Sequence, residues 1–220
     1  MHKNKIDQKR KGIWAGVLLG ASMLCMSSLG QATALNLDLE VAPDILSTFT
    51  TTSYTAGTQT FLADGFASQL FTNPTTYAIT DSGEFDLDAQ IDNFGNLVGG
   101  TLIITGKVSD LMFDSGTMLT GDLTAVGYAD DVMANGDTIE FLFTVSGGDA
   151  AMMFGGIGAI GGVILGNTKY AGTWAADFMS DAFQVLNDTG VPKQVSAPTT
   201  VLMFSVALAG LAGFARKKQK

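Results

Sequence analysis

Carboxylates are the side chains of this sequence that recur closely enough to act together chemically. Asp86, Asp88 and Asp92 lie within the short segment EFDLDAQID. Their spacing would suit the paired acids of a glycosidase or ligands for Ca²⁺, although the solvent-facing side of a β-strand is the ordinary explanation. A second group of oxygen donors surrounds a predicted turn, and its members are Asp130, Asp131, Asn135, Asp137 and Glu140. Ca²⁺ prefers such donors, so this group is the candidate Ca²⁺ site, although it lacks the spacing of a regular calcium loop.

The segment KYAGTWAADF places aromatic residues four positions apart. Tyr170 and Trp174, with Phe178 next in the series, could form a platform on which a sugar ring stacks. The alternative is that the same rings belong to a hydrophobic core, which is the commoner use of such side chains. Tyr170 and Trp174 are therefore the candidate glycan contacts.

The segment FGGIGAIGGVIL contains the pattern G-x-G-x-x-G at Gly156, Gly158 and Gly161, with Asp181 further along. A dinucleotide-binding turn has this pattern, but it needs a strand before the glycines and a helix after them. The residues that follow here are β-branched and interrupted by glycine. We therefore expect these glycines to permit bulges or close strand packing, and we expect no cofactor.

The charge distribution excludes several classes of function. Between residues 35 and 198 the sequence has three lysines against 20 acidic residues, a net charge of −17, and it has no arginine, histidine or cysteine. Such a chain would repel the phosphates of nucleic acids. Zinc and haem ligands are missing, a serine or cysteine nucleophile has no histidine base, and no disulfide can form. The composition favours a non-enzymatic protein that does not bind nucleic acid.

Residues 35–192 are predicted to form one acidic, all-β domain. Apolar and polar residues alternate in residues 35–41, 84–92 and 138–146, and Asn135-Gly136 is a strong hairpin-turn signal. About 160 residues suffice for a single hydrophobic core. An antiparallel β-sandwich or a barrel-like domain would satisfy this pattern.

Two segments of the same domain do not show the alternation. The Thr-rich residues 46–60 are expected to form an edge strand or an exposed loop. Residues 177–186, DFMSDAFQVL, are expected to form a short helix.

Residues 1–34 have the organisation of a secretory signal peptide. Five basic residues precede an apolar run from Ile13 to Met26, and small residues follow it. Ala32 and Ala34 form the A-x-A pair that signal peptidase recognises, which predicts cleavage before Leu35. The alternative is an uncleaved membrane anchor. Either way, the sequence predicts that the secretion machinery exports the domain.

Residues 193–220 form a distinct C-terminal tail. Residues 199–215 carry no charge and would span about 25 Å as a helix, which is close to the short limit for a transmembrane segment. A basic end follows at residues 216–220, made up of Arg216, Lys217, Lys218, Gln219 and Lys220. Its cations should stop transfer and remain cytoplasmic. Ser196-Ala197-Pro198 stands just before the predicted helix.

A short proline motif, one weak transmembrane helix and a basic end together resemble a PEP-CTERM sorting tail. The resemblance implies that Ser196, Ala197 and Pro198 occupy the sorting motif, and that exosortase, a membrane enzyme, recognises the tail. The motif here is S-A-P in place of P-E-P, so that only the last proline is kept. The phrases SGTMLTGDLTAVGY and GVILGNTKYAGTWAADF are similar to uncharacterised PEP-CTERM proteins and imply no known activity.

These features together predict an exported, non-enzymatic cell-surface or extracellular-matrix protein associated with exopolysaccharide. It would be anchored transiently in the inner membrane and then sorted to the surface or the medium. The alternatives are a carbohydrate-binding module that uses Tyr170 and Trp174, and a secreted glycoside-active enzyme that uses two of the carboxylates. No cofactor is expected apart from Ca²⁺.

Overall fold

The computed structural model of the chain describes residues 34–129, 137–170, 172–180 and 185–193. Within these residues the secondary structure is almost entirely β, with one short 3₁₀ turn at Ser109–Leu111. The ten strands are β1 (Leu39–Thr55), β2 (Thr60–Phe71), β3 (Thr76–Ala78), β4 (Phe85–Ile91), β5 (Leu97–Val108), β6 (Phe113–Ala129), β7 (Thr138–Gly147), β8 (Ile160–Gly166), β9 (Phe178–Met179) and β10 (Val185–Pro192).

Eight of these strands close into one antiparallel barrel. Their order is β2-β4-β5-β6-β7-β8-β10-β1, and β1 pairs with β2 to complete the ring. The short β3 pairs with the end of β2, and the short β9 pairs with the end of β1. The prediction of an antiparallel all-β domain is confirmed, and of its two forms the structure shows the barrel. The predicted signal helix and transmembrane helix lie outside the described residues.

The alternation of apolar and polar residues builds the barrel wall. In β4, Phe85 and Leu87 point inward and are almost fully buried, whereas Asp86 and Asp88 point outward and are exposed. The same alternation in β7 turns Phe141 inward. One continuous core therefore fills the barrel, as expected for strands that each present one apolar face.

Two connecting segments close the opposite ends of the barrel. The turns of residues 148–159, between β7 and β8, bury Ala150 and Phe154. The segment that follows β8 buries Tyr170 and Trp174 at the other end. Both segments therefore add buried side chains to the core that the strands enclose.

Two local expectations are wrong. Residues 46–55 belong to β1, which is neither an edge strand nor a loop, because it pairs with β2 on one side and with β10 on the other. The described part of residues 177–186 is extended rather than helical, since it contains β9 and the start of β10. In both places tertiary pairing decided the local structure.

Candidate functional site

A group of carboxylates stands on the outer face of β2 and β4. Asp64 lies directly opposite Asp86 in the strand pairing, and Asp88 is two residues further along the same face. Partial desolvation, followed by the charges of Asp86 and Asp88, raises the pKa of Asp64. All three side chains are exposed on the convex side of the barrel. Asp92 stands apart from them in the β4–β5 turn, where its carboxylate accepts hydrogen bonds from the backbone N–H groups of Phe94 and Asn96, both at 2.9 Å.

This outer acidic face can attract cations, but it does not form a metal cage. Across the described parts of the chain, no group of three or more acidic, histidine or cysteine side chains is arranged to hold a metal ion. Carboxylates spaced along an exposed strand face act as a diffuse negative field, which concentrates counter-ions near the surface.

A second carboxylate pair, Asp44 on β1 and Asp188 on β10, was not singled out from the sequence. Leu46 is the residue directly opposite Asp188, so Asp44 lies diagonally across from it on the same outer face. Burial, and then the hydrogen bond and charge of Asp188, raises the pKa of Asp44 to about 8. Burial and the neighbouring carboxyl group therefore make Asp44 release its proton at a higher pH than an isolated aspartate would. These residues are 144 positions apart, so no local spacing could have revealed the pair.

The candidate Ca²⁺ ligands are only partly described. Asp130, Asp131 and Asn135 lie outside the described residues. Glu140 is buried, and its two carboxylate oxygens accept hydrogen bonds from the backbone N–H groups of Asn36 (2.8 Å) and Leu37 (2.9 Å). The backbone carbonyl of Asp137 accepts hydrogen bonds from the N–H and the hydroxyl of Thr168. Glu140 thus attaches the chain segment before β1 to β7, which is a structural role for a residue that the sequence placed among Ca²⁺ ligands.

The candidate glycan contacts, Tyr170 and Trp174, are 3% and 2% exposed. Their ring centroids are 5.1 Å apart, and the Trp174 ring also lies 4.8 Å from Tyr54 and 5.6 Å from Phe178. Tyr54 donates a hydrogen bond to the carbonyl of Ile91 at 2.9 Å. A ring enclosed on this scale offers no face to a sugar in solvent, so the prediction of glycan contact at these residues is corrected to a core role. The core alternative stated above describes them.

The G-x-G-x-x-G pattern has a packing explanation. Gly156 and Gly158 lie in the turns before β8 and have φ angles of 90°, which glycine adopts without steric cost. Gly161 lies in β8 directly opposite Phe143, and a Cβ atom there would overlap the Phe143 ring. A strand follows the glycines where a dinucleotide fold would need a helix. The expectation of close strand packing is confirmed at Gly161, whereas Gly156 and Gly158 serve turns rather than bulges or strand contacts.

The residues of the two predicted processing signals lie at or beyond the margins of the described residues. Ala34 and Leu35 begin the described chain, and the carbonyl of Ala34 accepts a hydrogen bond from the Asn36 side chain at 3.1 Å. Ala32 lies outside the described residues. So do the sorting motif Ser196, Ala197 and Pro198, and the basic residues Arg216, Lys217, Lys218 and Lys220. Within the part of the chain that is described, we find no helix with the length and apolar character needed to cross a membrane.

Comparison of the chain with protein-family models, with curated proteins and with solved structures found no match in any of the three.

Proposed function

We propose that this chain is an exported, non-enzymatic cell-surface or extracellular-matrix protein whose acidic barrel associates with exopolysaccharide through divalent cations. The observation that carries this proposal is the outward display of carboxylates around a closed barrel. Exposed acidic side chains stand on β2, β4 and β6 and in the connecting turns, among them Asp64, Asp86, Asp88, Asp110, Asp114, Asp122, Asp149 and Asp177. A surface of this charge keeps a secreted protein soluble and gathers divalent ions that can bridge it to an anionic polymer.

The few lysines of the domain support the same conclusion. Lys193 pairs with Asp38 at 2.7 Å, and Lys107 stands 3.8 Å from Asp81. Exposed pairs of this kind contribute little to stability. Three lysines also leave most of the 20 acidic residues uncompensated. The charge is therefore available to partners outside the chain.

The predicted signal and tail support export and sorting. Cleavage before Leu35 would release the domain outside the inner membrane, and the tail would hold it there until exosortase recognises the segment at Pro198. The short predicted helix of residues 199–215 is rich in alanine and glycine. Such residues contribute little burial in lipid but allow close approach by another helix, which suits recognition by a membrane enzyme.

The sorting experiment uses the full chain in its native host, with a tag placed in the acidic domain. Wild type should appear at the surface or in the medium without its tail. Pro198→Ala, and a variant in which Arg216, Lys217, Lys218 and Lys220 are all changed to Gln, should remain uncut or leave the membrane unprocessed. If wild type stays as a full-length inner-membrane protein, the tail is a permanent anchor and the sorting proposal is wrong.

The matrix experiment measures retention of the purified protein on the host's exopolysaccharide in millimolar Ca²⁺, in Mg²⁺ and in EDTA. Retention should depend on either cation and be lost in EDTA. The double variant Asp86→Asn/Asp88→Asn and the matched double variant Asp110→Asn/Asp114→Asn remove equal charge from exposed positions, so both should weaken retention equally. Retention in EDTA equal to that in Ca²⁺ would overturn the cation-bridged association.

The residues considered for an enzymatic or a lectin-like function support those alternatives less than the acidic surface supports the association with exopolysaccharide. Asp86 and Asp88, two of the carboxylates considered for a glycosidase, are exposed on the outer face of β4, and the Asp92 carboxylate accepts hydrogen bonds from the backbone of its own turn. The candidate sugar platform is in the core, as described above.

A further inference from the structure

Strands β1 and β10 turn a group of polar side chains into the interior of the barrel. Ser47 and Thr50 come from β1, and Asn187 and Thr189 come from β10. Each is at most 3% exposed, so the group is fully enclosed. On β4 and β7 the inward side chains at Phe85–Ile91 and Ile139–Val145 are apolar. The polar interior is therefore confined to one side of the barrel, and we call these four residues the interior polar group.

The side chains of this group have no hydrogen-bond partner within the described protein. This holds for the hydroxyls of Ser47, Thr50 and Thr189 and for both amide atoms of Asn187. Ser47 and Asn187 are directly opposite in the strand pairing, yet they do not bond to each other. Buried polar side chains almost always have a partner, because an unmet donor or acceptor loses its solvation without compensation. A buried amide with both atoms unmatched points to a partner other than protein.

A neighbouring buried hydroxyl, that of Thr52, does have a hydrogen-bond partner within the protein. Thr52 lies two residues after Thr50 on the same inward face and is 1% exposed. Its hydroxyl donates a hydrogen bond to the carbonyl of Thr168 at 3.1 Å. The difference between Thr52 and the interior polar group is thus one of available protein partners, since burial is the same.

The wall beside the interior polar group is made of small residues. Strand β2 pairs with β1, and after Phe61 its successive inward positions are Ala63, Gly65 and Ala67. Ala67 is directly opposite Ser47, and the Thr50 side chain occupies the position where a Cβ of Gly65 would stand. An eight-stranded barrel is wide enough either to be filled by side chains or to hold one small ligand. Ala63 and Ala67 on β2 present only methyl groups to the interior, so this wall offers the unmatched polar atoms no hydrogen-bond partner.

We propose that the interior of the barrel, between β10, β1 and β2, binds a small uncharged molecule that both donates and accepts hydrogen bonds. Asn187 is the central contact, because its amide supplies both a donor and an acceptor. The hydroxyls of Ser47, Thr50 and Thr189 complete the site. The lining carries no charged group, since Asp44 and Asp188 stand on the outer face of the same strands. Water and a small polyol share the required chemistry.

Crystal structures of the purified protein, grown with and without glycerol, test the site directly. Ordered density within hydrogen-bond distance of the Asn187 amide is the expected result in both. Separate peaks in both crystals identify water, whereas connected density that appears with glycerol identifies a polyol. An interior with no density at Asn187 in either crystal overturns the proposal.

Two isosteric variants give an independent test in solution. Thr189→Val removes a hydroxyl of the proposed site, and Thr52→Val is the matched control that removes a hydroxyl bonded to protein. If the site is occupied, both variants lose a hydrogen bond, and each melting temperature should fall by about 2–4 °C. If the site is empty, Thr189→Val removes an unmet polar group. A melting temperature that is unchanged or raised in Thr189→Val, while Thr52→Val lowers it, contradicts the proposal.

Discussion

The Phe143 ring lies against the backbones of two glycines, one on each neighbouring strand, and this contact makes a sharp prediction about stability. A Cβ atom added at Gly121 on β6 or at Gly161 on β8 would overlap the ring. Neither glycine has a positive φ angle, so alanine would fit the backbone conformation. Phe143 is fully buried and cannot move toward solvent. The cost of Gly161→Ala is therefore steric and should reside in the contact with Phe143.

The size of the effect follows from two opposing terms. Forcing an extra carbon into a packed core costs about 1–3 kcal/mol. Replacing glycine by alanine also restricts the unfolded chain, which returns about 0.4–1 kcal/mol. Gly161→Ala should thus lower the free energy of unfolding by about 1–2 kcal/mol, or the melting temperature by about 2–8 °C. In Phe143→Leu the smaller side chain makes room for the new methyl group, so the double variant should be at least about 1 kcal/mol more stable than the sum of the two single effects.

Urea denaturation and thermal melting of wild type, both single variants and the double variant measure this coupling. Gly99→Ala is the matched control, because Gly99 also lies in a strand and a Cβ there would have no neighbour within 4 Å. It should be neutral or slightly stabilising. If Gly161→Ala is as stable as Gly99→Ala, or if its effect adds to that of Phe143→Leu without coupling, the packing explanation of this glycine is wrong.

Three further predictions concern charge, anchoring and processing. The pKa of Asp44 is raised from 3.8 to about 8, so between these pH values the folded chain holds a proton that the unfolded chain releases, and the free energy of unfolding should fall as pH rises. In urea denaturation at a series of pH values, Asp44→Asn should lose this fall in the free energy of unfolding. A pH dependence in Asp44→Asn equal to that of wild type would contradict the prediction. Glu140→Gln replaces one of the two oxygens that accept backbone hydrogen bonds with an amide nitrogen, and it should lower the free energy of unfolding in urea by about 1–3 kcal/mol. The control Glu84→Gln changes an exposed side chain and should have little effect. Mass spectrometry of exported protein should find Leu35 as the first residue, and an intact residue 1–34 segment would refute cleavage there.

The sequence predicted those parts of the fold whose pattern is local. In β4 the strict alternation around Asp86 and Asp88 directly encodes which face is buried, and the structure confirms it. In β1 the pattern is interrupted. The inward residues are Ile45 and Ser47 before the irregularity and Thr50 after it. The residues that face the core therefore have odd sequence numbers before the irregularity and even sequence numbers after it. Phe49, at the interruption, has a φ angle of 54°. A period of two cannot be read across such a bulge, which is why this strand resembled a loop.

The candidate sites were harder to predict because their chemistry depends on tertiary pairing. Glu140 looked like a ligand in a turn, but the barrel brings the backbone of Asn36 against it from 104 residues away. The Asp44–Asp188 pair and the interior polar group both arise only when β10 pairs with β1. Local spacing identifies residue types that could react, while long-range register decides whether they face solvent, backbone or one another.

Closure of the barrel would let this domain meet the extracytoplasmic environment proposed for it without covalent crosslinks. The one cysteine of the chain, Cys25, falls in the predicted signal peptide, so disulfides cannot supply stability to residues 35–192. Each of the eight strands instead has a partner on both sides, so the ring offers no long unpaired edge to neighbouring molecules. Acidic residues on the convex face add repulsion between copies. A domain built in this way can carry a strong negative charge outside and still keep an uncharged, enclosed interior. The proposed cation-mediated association depends on the charged outer face, and the proposed ligand site depends on the interior.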